Sequence, residues 1–408
     1  MKSSSITKQL VIVGSGFAGM MAALAASRLR HEKNVSPAAL AITVVSPEPE
    51  LVVRPRLYER KPETMVAPLG DLFAATDVNH VRGTVERIDS AAGVIGVKGA
   101  NGETGTLPFD RLVLASGSEG FRPPIPGLAE FGHSATALED AAALDRHLHA
   151  LADRPASAAR NTVVVGGGGF TGLEVATEMP GRLREILGED ADVRVIIVER
   201  SPHVASTMGD EPRPYIEARL RELGIEARTG VAIAQIDDGS VVLGNGERIE
   251  AATVIWSAGM RASPLTAQLA AERDNLGRII VEPDLRVPGA VNVFATGDTA
   301  RAVTDPEGNF AVMSCQHARR LGAFAGHNAV AELLGETTLP YDQPVYVTCL
   351  DLGPDVAIFT RGWSAKTEVT GRQAKKIKEE INTVWIYPPA ADRGAAYENA
   401  LVARTVDF

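Results

Sequence analysis

Short apolar runs rich in β-branched residues recur along the chain, and most of them end at a glycine or a polar turn. Two of these runs, QLVIV (9–13) and NTVVV (161–165), lead directly into a glycine-rich turn and then into a stretch compatible with a helix. A further apolar run follows each helix, at 38–46 in the first copy and at 191–199 in the second. This order predicts a duplicated strand–helix–strand unit with a buried parallel sheet in each copy.

Both glycine-rich turns have the spacing G-x-G-x-x-G that dinucleotide-binding units use. The first glycine permits a tight turn, the second lets a phosphate approach the backbone, and the third lets the helix pack closely on the strand. A pyrophosphate then lies at the helix N-terminus. One such pattern alone also fits an ordinary turn, but two copies in the same context predict two nucleotide sites. The glycines are Gly14, Gly16 and Gly19 in the first copy and Gly167, Gly169 and Gly172 in the second.

The last residue of the second strand has the same offset from the first glycine in both copies. In the second copy this residue is Glu199, whose carboxylate is suited to the two ribose hydroxyls of a dinucleotide. It predicts a preference for NADH, while the adjacent Arg200 keeps NADPH open as an alternative. In the first copy the residue is Ser46, so the contact to the adenosine ribose is left to Ser46 or to Glu48.

The rest of the chain fits a nested arrangement of the two units. Alternating patterns at 81–114 and 239–257 predict small additional sheets, and the proline-rich RPPIPGL (122–128) predicts a crossing between domains. The tail contains strands near 344–360 and the helix GRQAKKIKEEI (371–381), whose basic run we interpret as a solvated face. We predict an α/β fold with two Rossmann-like dinucleotide-binding domains, the second inserted in the first, and a small C-terminal α+β region. The predicted bounds are 1–120 and 285–336 for the first domain, 121–284 for the second, and 337–408 for the C-terminal region.

Composition excludes several classes of protein. With 45% apolar and 23% charged residues the chain has the material for a large core, and 41 basic against 51 acidic residues, spread along it, argue against a nucleic-acid partner. No apolar run is long enough to span a bilayer, and the first ten residues lack the apolar core of a secretory signal. Cys315 and Cys349 are too few and too far apart for a disulfide framework or a zinc site, which predicts no metal and a cytoplasmic, reducing compartment.

Five short motifs in order carry a family resemblance: GSGFAG (14–19), LASGS (114–118), GGGFTGLE (167–174), WSAG (256–259) and ATGD (295–298). Together they resemble the flavoproteins with two dinucleotide-binding domains, and most closely the type II NADH dehydrogenases. The resemblance implies an FAD-dependent pyridine nucleotide oxidoreductase, with FAD in the first unit and NADH in the second.

The resemblance also implies roles for individual residues. Asp298 would bind the FAD ribityl chain, although it could simply cap a helix. Glu174 would lie beside the nicotinamide and flavin rings, although acids are common in the first turn of a helix. Gln316 and His317, in SCQHARRLG (314–322), would face the flavin pyrimidine or be ordinary first-turn residues, and Arg54 lies in a segment that would line the flavin ring. The remaining expected cofactor contacts are Ser116, Gly117, Ala258, Gly259 and Gly297.

The absence of a C-x-x-C or C-x4-C pair separates the chain from the disulfide reductases of the same fold. The resemblance therefore implies hydride transfer from NADH to flavin, followed by electron transfer to a small quinone-like acceptor without a redox disulfide. A reductase for a ferredoxin-like protein and a slowly turning flavin- and NADH-binding protein of the apoptosis-inducing-factor type remain alternatives. The membrane-dipping C-terminal helices of the respiratory enzymes are missing from this sequence, so peripheral membrane contact is not expected, and a homodimer stays open.

Overall fold

The computed structural model describes residues 7–402. Residues 1–6, which make up much of the segment tested for a secretory signal, and residues 403–408 lie outside that description. The first stretch of the described chain alternates buried strands with two helices. Its elements are β1 (Lys8–Val13), α1 (Phe17–Glu32), β2 (Leu40–Ser46), β3 (Glu50–Val52), β4 (Val66–Pro68), α2 (Gly70–Ala75), β5 (Asn79–Arg82), β6 (Thr84–Asp89), β7 (Val94–Lys98), β8 (Thr104–Pro108), β9 (Arg111–Leu114) and β10 (Ser118–Gly120).

The middle stretch repeats the strand–helix–strand order. Its elements are α3 (Leu128–Phe131), β11 (Gly132–His133), α4 (Leu138–Ala150), α5 (Ala158–Asn161), β12 (Thr162–Gly166), α6 (Phe170–Leu187), β13 (Arg194–Glu199), α7 (Arg213–Glu222), β14 (Ile225–Thr229), β15 (Ile233–Asp237), β16 (Ser240–Leu243), β17 (Arg248–Glu250), β18 (Thr253–Trp256) and β19 (Met260–Ala262).

The last stretch returns to the first sheet and then forms the C-terminal region. Its elements are β20 (Ile279–Ile280), β21 (Arg286–Val287), β22 (Ala290–Ala295), β23 (Ala300–Arg301), α8 (Cys315–Leu334), β24 (Val347–Asp351), β25 (Ala357–Arg361), β26 (Lys366–Thr370), α9 (Gly371–Glu380) and α10 (Arg393–Asn399).

Two separate parallel sheets form the framework. The first has the order β21-β22-β9-β1-β2-β5, with only β21 antiparallel to its neighbour, and the second has the order β11-β18-β12-β13-β14. In each, the strand before the glycine-rich turn is central, because its side chains are apolar and buried on both faces. Since β21 and β22 follow the whole second sheet in the chain, the second unit is inserted in the first. The predicted α/β class with two Rossmann-like units is confirmed.

Two antiparallel connections join the units. The chain leaves the first unit through β10 and returns through β19, and these two strands pair with each other. The sheets β6-β7-β8 and β15-β16-β17 are the small additional sheets that the alternating patterns predict. The C-terminal region consists of the antiparallel sheet β24-β25-β26 with α9 packed on it, beside α6 of the second unit.

Small residues bring α8 against α1. A Cβ atom added to Gly322 or Gly326 would lie 2.1 or 2.0 Å from the carbonyl oxygens of Ala18 and Ala22, so only glycine permits this distance between the helices. The close contact places the N-terminus of α8 beside the first glycine-rich turn. None of the helices in residues 7–402 combines the length and the apolar character that crossing a bilayer requires.

Candidate functional site

The first glycine-rich turn lies where the order of the first sheet changes direction. β1 has β2 on one side and β9 on the other, and such switch points open a crevice at the carboxyl ends of the strands. Gly14 has a φ of +102°, and its N–H donates to the carbonyl oxygen of Val45 (2.8 Å). A Cβ on Gly19 would lie 1.9 Å from the carbonyl oxygen of Gly14. The turn therefore needs glycine at both positions to hold α1 against β1.

Open space and unpaired polar atoms lie beside this turn. A Cβ added at Gly16 or Gly117 would meet no atom within 4 Å, which leaves the backbone there open to a ligand. The hydroxyl oxygens of Ser116 and Thr296, just beyond the ends of β9 and β22, are buried without a hydrogen-bond partner in the described residues. Orphaned polar atoms beside an open backbone cradle fit a polar, phosphate-bearing cofactor such as FAD.

Asp298 lies at the same edge of the sheet, in a short helical turn after β22. Ser118 Oγ donates to Oδ2 of Asp298 (2.5 Å), and Nη1 of Arg54 lies 3.9 Å from the same oxygen. Arg54 also donates to the carbonyl oxygens of Ser118 (3.0 Å) and Thr136 (3.1 Å). Burial raises the pKa of Asp298 and lowers that of Arg54, while their mutual attraction acts against both shifts. The predicted residues Arg54 and Asp298 are thus brought together, with Ser118 between them. Gly297, with a φ of +63°, turns the chain into this position.

A cavity of about 360 Å³ lies between the two units, within the size range of small-molecule sites. Arg54 and Ser118 of the first unit line it on one side, and Thr136, Trp256 and Gly259 of the second unit line it on the other. Residues of both units therefore border one common space, and three of them, Arg54, Ser118 and Gly259, belong to the candidate cofactor contacts.

The second glycine-rich turn repeats the geometry of the first. Gly167 has a φ of +111°, and its N–H donates to the carbonyl oxygen of Val198 (2.9 Å). A Cβ on Gly172 would lie 1.9 Å from the carbonyl oxygen of Gly167, whereas a Cβ on Gly169 would meet nothing within 4 Å. Ala258 packs against Gly167 and so lies at the same turn.

Glu199 ends β13 beside this turn. Its carboxylate accepts hydrogen bonds from the backbone N–H groups of Gly168 (2.7 Å) and Ser201 (2.7 Å). These bonds orient the carboxylate, and they use two of about four lone-pair positions, so a ribose still has acceptors available. Arg200 is exposed.

The equivalent position of the first unit has no free carboxylate. Ser46 Oγ donates to the carbonyl oxygen of Glu48 (2.6 Å) and lies 2.9 Å from Nε2 of His80. The Glu48 side chain is half-exposed and pairs with Arg82. Ser46 and Glu48 therefore lie together at the end of β2, as their spacing predicts, with both side chains already engaged by protein groups.

Glu174 forms a buried ion pair with the C-terminal region. Nζ of Lys378 donates to Oε1 of Glu174 (2.7 Å), the backbone N–H of Asp351 donates to the same oxygen (3.2 Å), and both paired side chains are 6% exposed. Burial raises the pKa of the Glu174 carboxyl to about 7, although Lys378 opposes the rise. Burial disfavours the Lys378 ammonium, but the Glu174 carboxylate outweighs it and raises the pKa of Lys378 overall. Such a carboxyl group is able to take up and release a proton near neutral pH.

A second buried carboxylate extends this network. Asp351 accepts from the hydroxyl of Tyr58 (2.8 Å) and from Nζ of Lys375 (2.7 and 2.8 Å). The ammonium group of Lys378 lies 5.8 Å from the ring centroids of Tyr58 and Phe170. The segment after β3, the start of α6 and the C-terminal region thereby meet in one polar cluster.

Gln316 and His317 occupy the first turn of α8. The Gln316 Oε1 atom accepts weakly from the backbone N–H of Val347 (3.5 Å), and its Nε2 has no partner in residues 7–402. The His317 ring is fully buried, and its Nδ1 lies 3.0 Å from Oγ of Ser314, the N-cap of α8. Burial lowers the pKa of His317 to about 4, so its imidazole is neutral.

The interpretation of the basic run in α9 as a solvated face was wrong for Lys378, which is buried and paired with Glu174. The sequence alone also missed Ser118, Asp351 and Tyr58. Lys378 lies at helical spacing from the apolar Ala374, which weakly indicates that it is buried. Its partner Glu174 could not be predicted, because it lies 204 residues away in the chain. No group of His, Cys, Asp or Glu side chains within residues 7–402 is arranged as a metal site.

Replacing Asp298 by alanine is expected to weaken flavin retention about tenfold or more, because a hydrogen bond to a charged group contributes about 1.5–3 kcal/mol. Flavin content after gel filtration and the Kd for FAD of the apoprotein measure the effect. Ser118→Ala should give a smaller loss, and Asp342→Ala, at an exposed surface ion pair, should give none. A fully flavinated Asp298→Ala protein with an unchanged Kd would contradict the assignment.

Comparison with known proteins agrees with this geometry. Residues 8–322 match a family model described as pyridine nucleotide-disulphide oxidoreductase. An NADH dehydrogenase-like protein from Mycobacterium tuberculosis is 44% identical over 383 residues, which cover 93% of this chain and 94% of that protein. A type II NADH:quinone oxidoreductase from the same species is 31% identical over 323 residues, covering 72% and 67%. The structure of NDH2 from Plasmodium falciparum in complex with NADH shares the fold, with a TM-score of 0.77 at 13% identity and coverage of 97% and 98%.

Proposed function

Because the chain belongs to the pyridine nucleotide-disulphide oxidoreductase family, we propose that it oxidises NADH by way of a bound FAD and delivers the electrons to a quinone. One observation carries the proposal: the chain has two complete glycine-rich turns, each at the switch point of its own parallel sheet, and a cavity lined by residues of both units lies between those units. A hydride donor in one unit and its acceptor in the other then meet at that boundary, so the protein acts mainly by positioning.

FAD is proposed for the first unit. The N-terminus of α1 at Gly16 would hold the pyrophosphate, and Asp298, oriented by Ser118 and Arg54, would accept hydrogen bonds from the ribityl hydroxyls. Ser116 and Thr296 offer buried hydroxyls that have no hydrogen-bond partner within residues 7–402. When bound, FAD supplies hydride acceptance from NADH and onward electron transfer. The chain's own residues bind and orient the ligands and exclude water.

NADH is proposed for the second unit, at Gly167, Gly169 and Gly172, with Glu199 on the ribose, Ala258 beside the turn and Gly259 along the cavity wall. Glu174 is the proposed proton-exchanging group near the reacting rings, since burial raises its pKa to about 7 against the opposing charge of Lys378, which holds the carboxyl group in place through Oε1. Reduction of a quinone consumes a proton, and a buried carboxyl group of this kind supplies one without opening the site to water.

A quinone is the proposed acceptor because the chain has no thiol relay. Both cysteines, Cys315 and Cys349, are free, and burial raises the pKa of the Cys349 thiol to about 12, so it stays protonated and unreactive. Electrons therefore leave from the flavin directly. The quinone oxidoreductase among the relatives supports the same acceptor class.

Rapid mixing with NADH and then with an acceptor panel tests the proposal. We expect fast bleaching of the flavin by NADH and fast reoxidation by a soluble quinone. If only a ferredoxin-like protein reoxidised the flavin, that protein and not a quinone would be the acceptor. Flavin reduction followed by a long-lived reduced complex with every acceptor would indicate a binding protein instead of a dehydrogenase.

Cofactor preference tests Glu199. We expect the parent enzyme to favour NADH over NADPH by about tenfold or more in kcat/KM, because the 2′-phosphate removes one hydroxyl and places like charge against the carboxylate. Glu199→Ser should move the preference toward NADPH, and Glu199→Ser with Arg200→Ala should use both cofactors poorly. Equal use of NADH and NADPH by the parent would show that Arg200 governs the pocket.

The domain bounds and location are also proposed. Bounds of 1–120 with 285–336, 121–284 and 337–408 are supported by the sheets, since the strands of the first sheet fall within the first pair of ranges and those of the second sheet within 121–284. A cytoplasmic location is supported by the two unpaired thiols.

A further inference from the structure

The C-terminal region packs on the second unit through β24 and α9. Nζ of Lys378 in α9 donates to Glu174 of α6 (2.7 Å), and Nε of Arg219 in α7 donates to the carbonyl oxygen of Leu352 (3.0 Å). Three apolar side chains of the C-terminal region are fully buried in the core that contains α6: Leu350, Leu352 and Ile358. An ion pair and apolar burial together fix this part of the C-terminal region on the second unit.

The end of the same region lies on the first unit. α10 packs against α1 and α2, and four apolar side chains are buried in the core that contains α1: Ile386, Ala396, Ala400 and Val402. Oη of Tyr397 lies 2.9 Å from Oγ of Ser27 in α1, and Nε of Arg393 donates to the carbonyl oxygen of Ala75 (2.9 Å), the last residue of α2. We refer to residues 386–402 as the strap. Its contact with α1 lies about 16 Å along the helix from the first glycine-rich turn.

Two arginines of the first unit hold the strap next to the proposed flavin site. Nη1 of Arg56 donates to the hydroxyl of Tyr387 (2.8 Å), and Nη2 of Arg319 in α8 donates to Oδ1 of Asn399 (2.9 Å). Arg56 lies in the segment after β3 that the resemblance assigns to the flavin ring, and α8 begins beside the first glycine-rich turn. The strap is therefore bonded to elements that border the proposed flavin site, while the rest of the C-terminal region is fixed on the second unit.

The C-terminal region thus contacts both units, each through its own set of side chains. Domains move relative to one another by default, unless a large apolar interface holds them. We propose that the strap fixes the distance between the two nucleotide sites, so that NADH in the second unit meets the flavin in the first without a domain rotation. This inference rests on the proposed function and adds which residues set the geometry of its hydride step. They are positioning residues, since they act through α1, α8 and the segment after β3.

Ala396→Asp combined with Ala400→Asp tests the proposal, because it places two carboxylates at fully buried positions of an apolar core. Hydrogen exchange of residues 386–402 should show that the strap is released. At saturating NADH, the limiting rate of flavin reduction should fall about 10- to 100-fold, since a misplacement of about 1 Å is enough for such a loss. The long-wavelength charge-transfer absorbance of NAD⁺ on the reduced flavin should disappear, because the two rings no longer stack.

Binding within each unit should survive the release of the strap. The Kd of FAD for the apoprotein, and the Kd of ADP-ribose, which lacks the nicotinamide, should stay within about twofold of the parent values. Ala391→Asp adds the same charge at an exposed position of the strap and is the matched control, with exchange, rate and absorbance unchanged. Tyr387→Ala with Tyr397→Ala removes two aromatic contacts without burying a charge and should give the same effect in smaller size. Tyr387→Phe with Tyr397→Phe should restore most of the rate.

A released strap together with the parental limiting rate and charge-transfer absorbance would overturn the proposal. If the aspartate variant loses its flavin, the tyrosine-to-alanine variant decides by the same two readouts. A strap that stays protected from exchange in both variants would contradict its assigned contacts and overturn the proposal as well. If NADH does not reduce the flavin of the parent protein, the proposed function itself is wrong, whatever the state of the strap.

Discussion

Gly172→Ala is expected to lower the second-order rate constant of flavin reduction by NADH about 100-fold or more, while the protein keeps its flavin. The added Cβ would lie 1.9 Å from the carbonyl oxygen of Gly167 and 2.6 Å from Oγ of Ser257, where real Cβ atoms stay beyond 3.0 Å. One obstacle is the backbone of the turn and the other is Ser257, directly after β18, so α6 has to move away from β12. A strain of about 3 kcal/mol at this helix N-terminus corresponds to a 100-fold loss. Rapid mixing with NADH measures the rate, and the flavin absorbance measures the content.

The duplicated turn supplies the matched comparison. Gly19→Ala places its Cβ 1.9 Å from the carbonyl oxygen of Gly14, so this variant should lose flavin instead of losing its reaction with NADH. Gly181→Ala lies in the same helix as Gly172, where a Cβ would meet only the end of the Arg60 side chain at 4.0 Å. It should leave both properties unchanged and slightly raise stability, since alanine is the better helix former. If Gly172→Ala lost its flavin, or if NADH reduced its flavin at the normal rate, the assignment of flavin to the first unit and NADH to the second would be contradicted.

Lys378→Met is expected to lower the free energy of unfolding by about 3–5 kcal/mol at pH 9, because it leaves the Glu174 carboxylate buried without its ion partner. At pH 6 the loss should be smaller, since the carboxyl group then holds a proton and only a neutral hydrogen bond is missing. The double variant Lys378→Met with Glu174→Gln should recover most of the loss. Urea unfolding at the two pH values measures all three proteins, and Lys376→Met, on the exposed side of α9, is the matched control.

The direction of the pH dependence follows from the Glu174 pKa. The folded protein keeps a proton on Glu174 up to about pH 7, whereas the unfolded chain gives it up near 4.5, so this group's contribution to stability falls as the pH rises between those values. In Lys378→Met the pKa rises further and the fall extends to higher pH. A loss of stability independent of pH would show that Lys378 acts by packing and not by pairing with Glu174.

The strand–turn–helix units could be predicted from the sequence because every signal in them is local. The buried runs before Gly14 and Gly167 and the helices after them lie within a few residues, and the glycine spacing reports the turn that closes them. The inserted second unit followed from the order of the same signals. The packing of α8 against α1 was not predicted, although Gly322 and Gly326 permit it. Small residues at helical spacing indicate a close helix contact but do not show which helix makes it.

In the candidate site, too, residues with local sequence signals were predicted, whereas contacts between distant parts of the chain were not. Asp298 and Glu199 were identified because each follows a predicted strand at the edge where the nucleotides bind. The surroundings of Glu174 were not, since Lys378 and Asp351 come from the C-terminal region and reach it only through the packing of α9 and β24 on α6. The packing of the Tyr346, Trp363 and His317 rings is a further case, because Tyr346 and Trp363 flank a strand pair and meet His317 only when that sheet packs at the start of α8.

The sequence by itself therefore determined the two nucleotide-binding units, their nesting and the residues that lie directly on each turn, because hydrophobic period and backbone sterics act over short distances. The tertiary structure alone decided which buried charges pair, which donors stay unsatisfied and what lies between the units. A lysine in a basic helix has the same local sequence whether it faces water or a buried carboxylate. In the folded protein, burial raises the pKa of the Glu174 carboxyl to about 7 against the opposing charge of Lys378, and the ion pair between them makes that lysine part of the site.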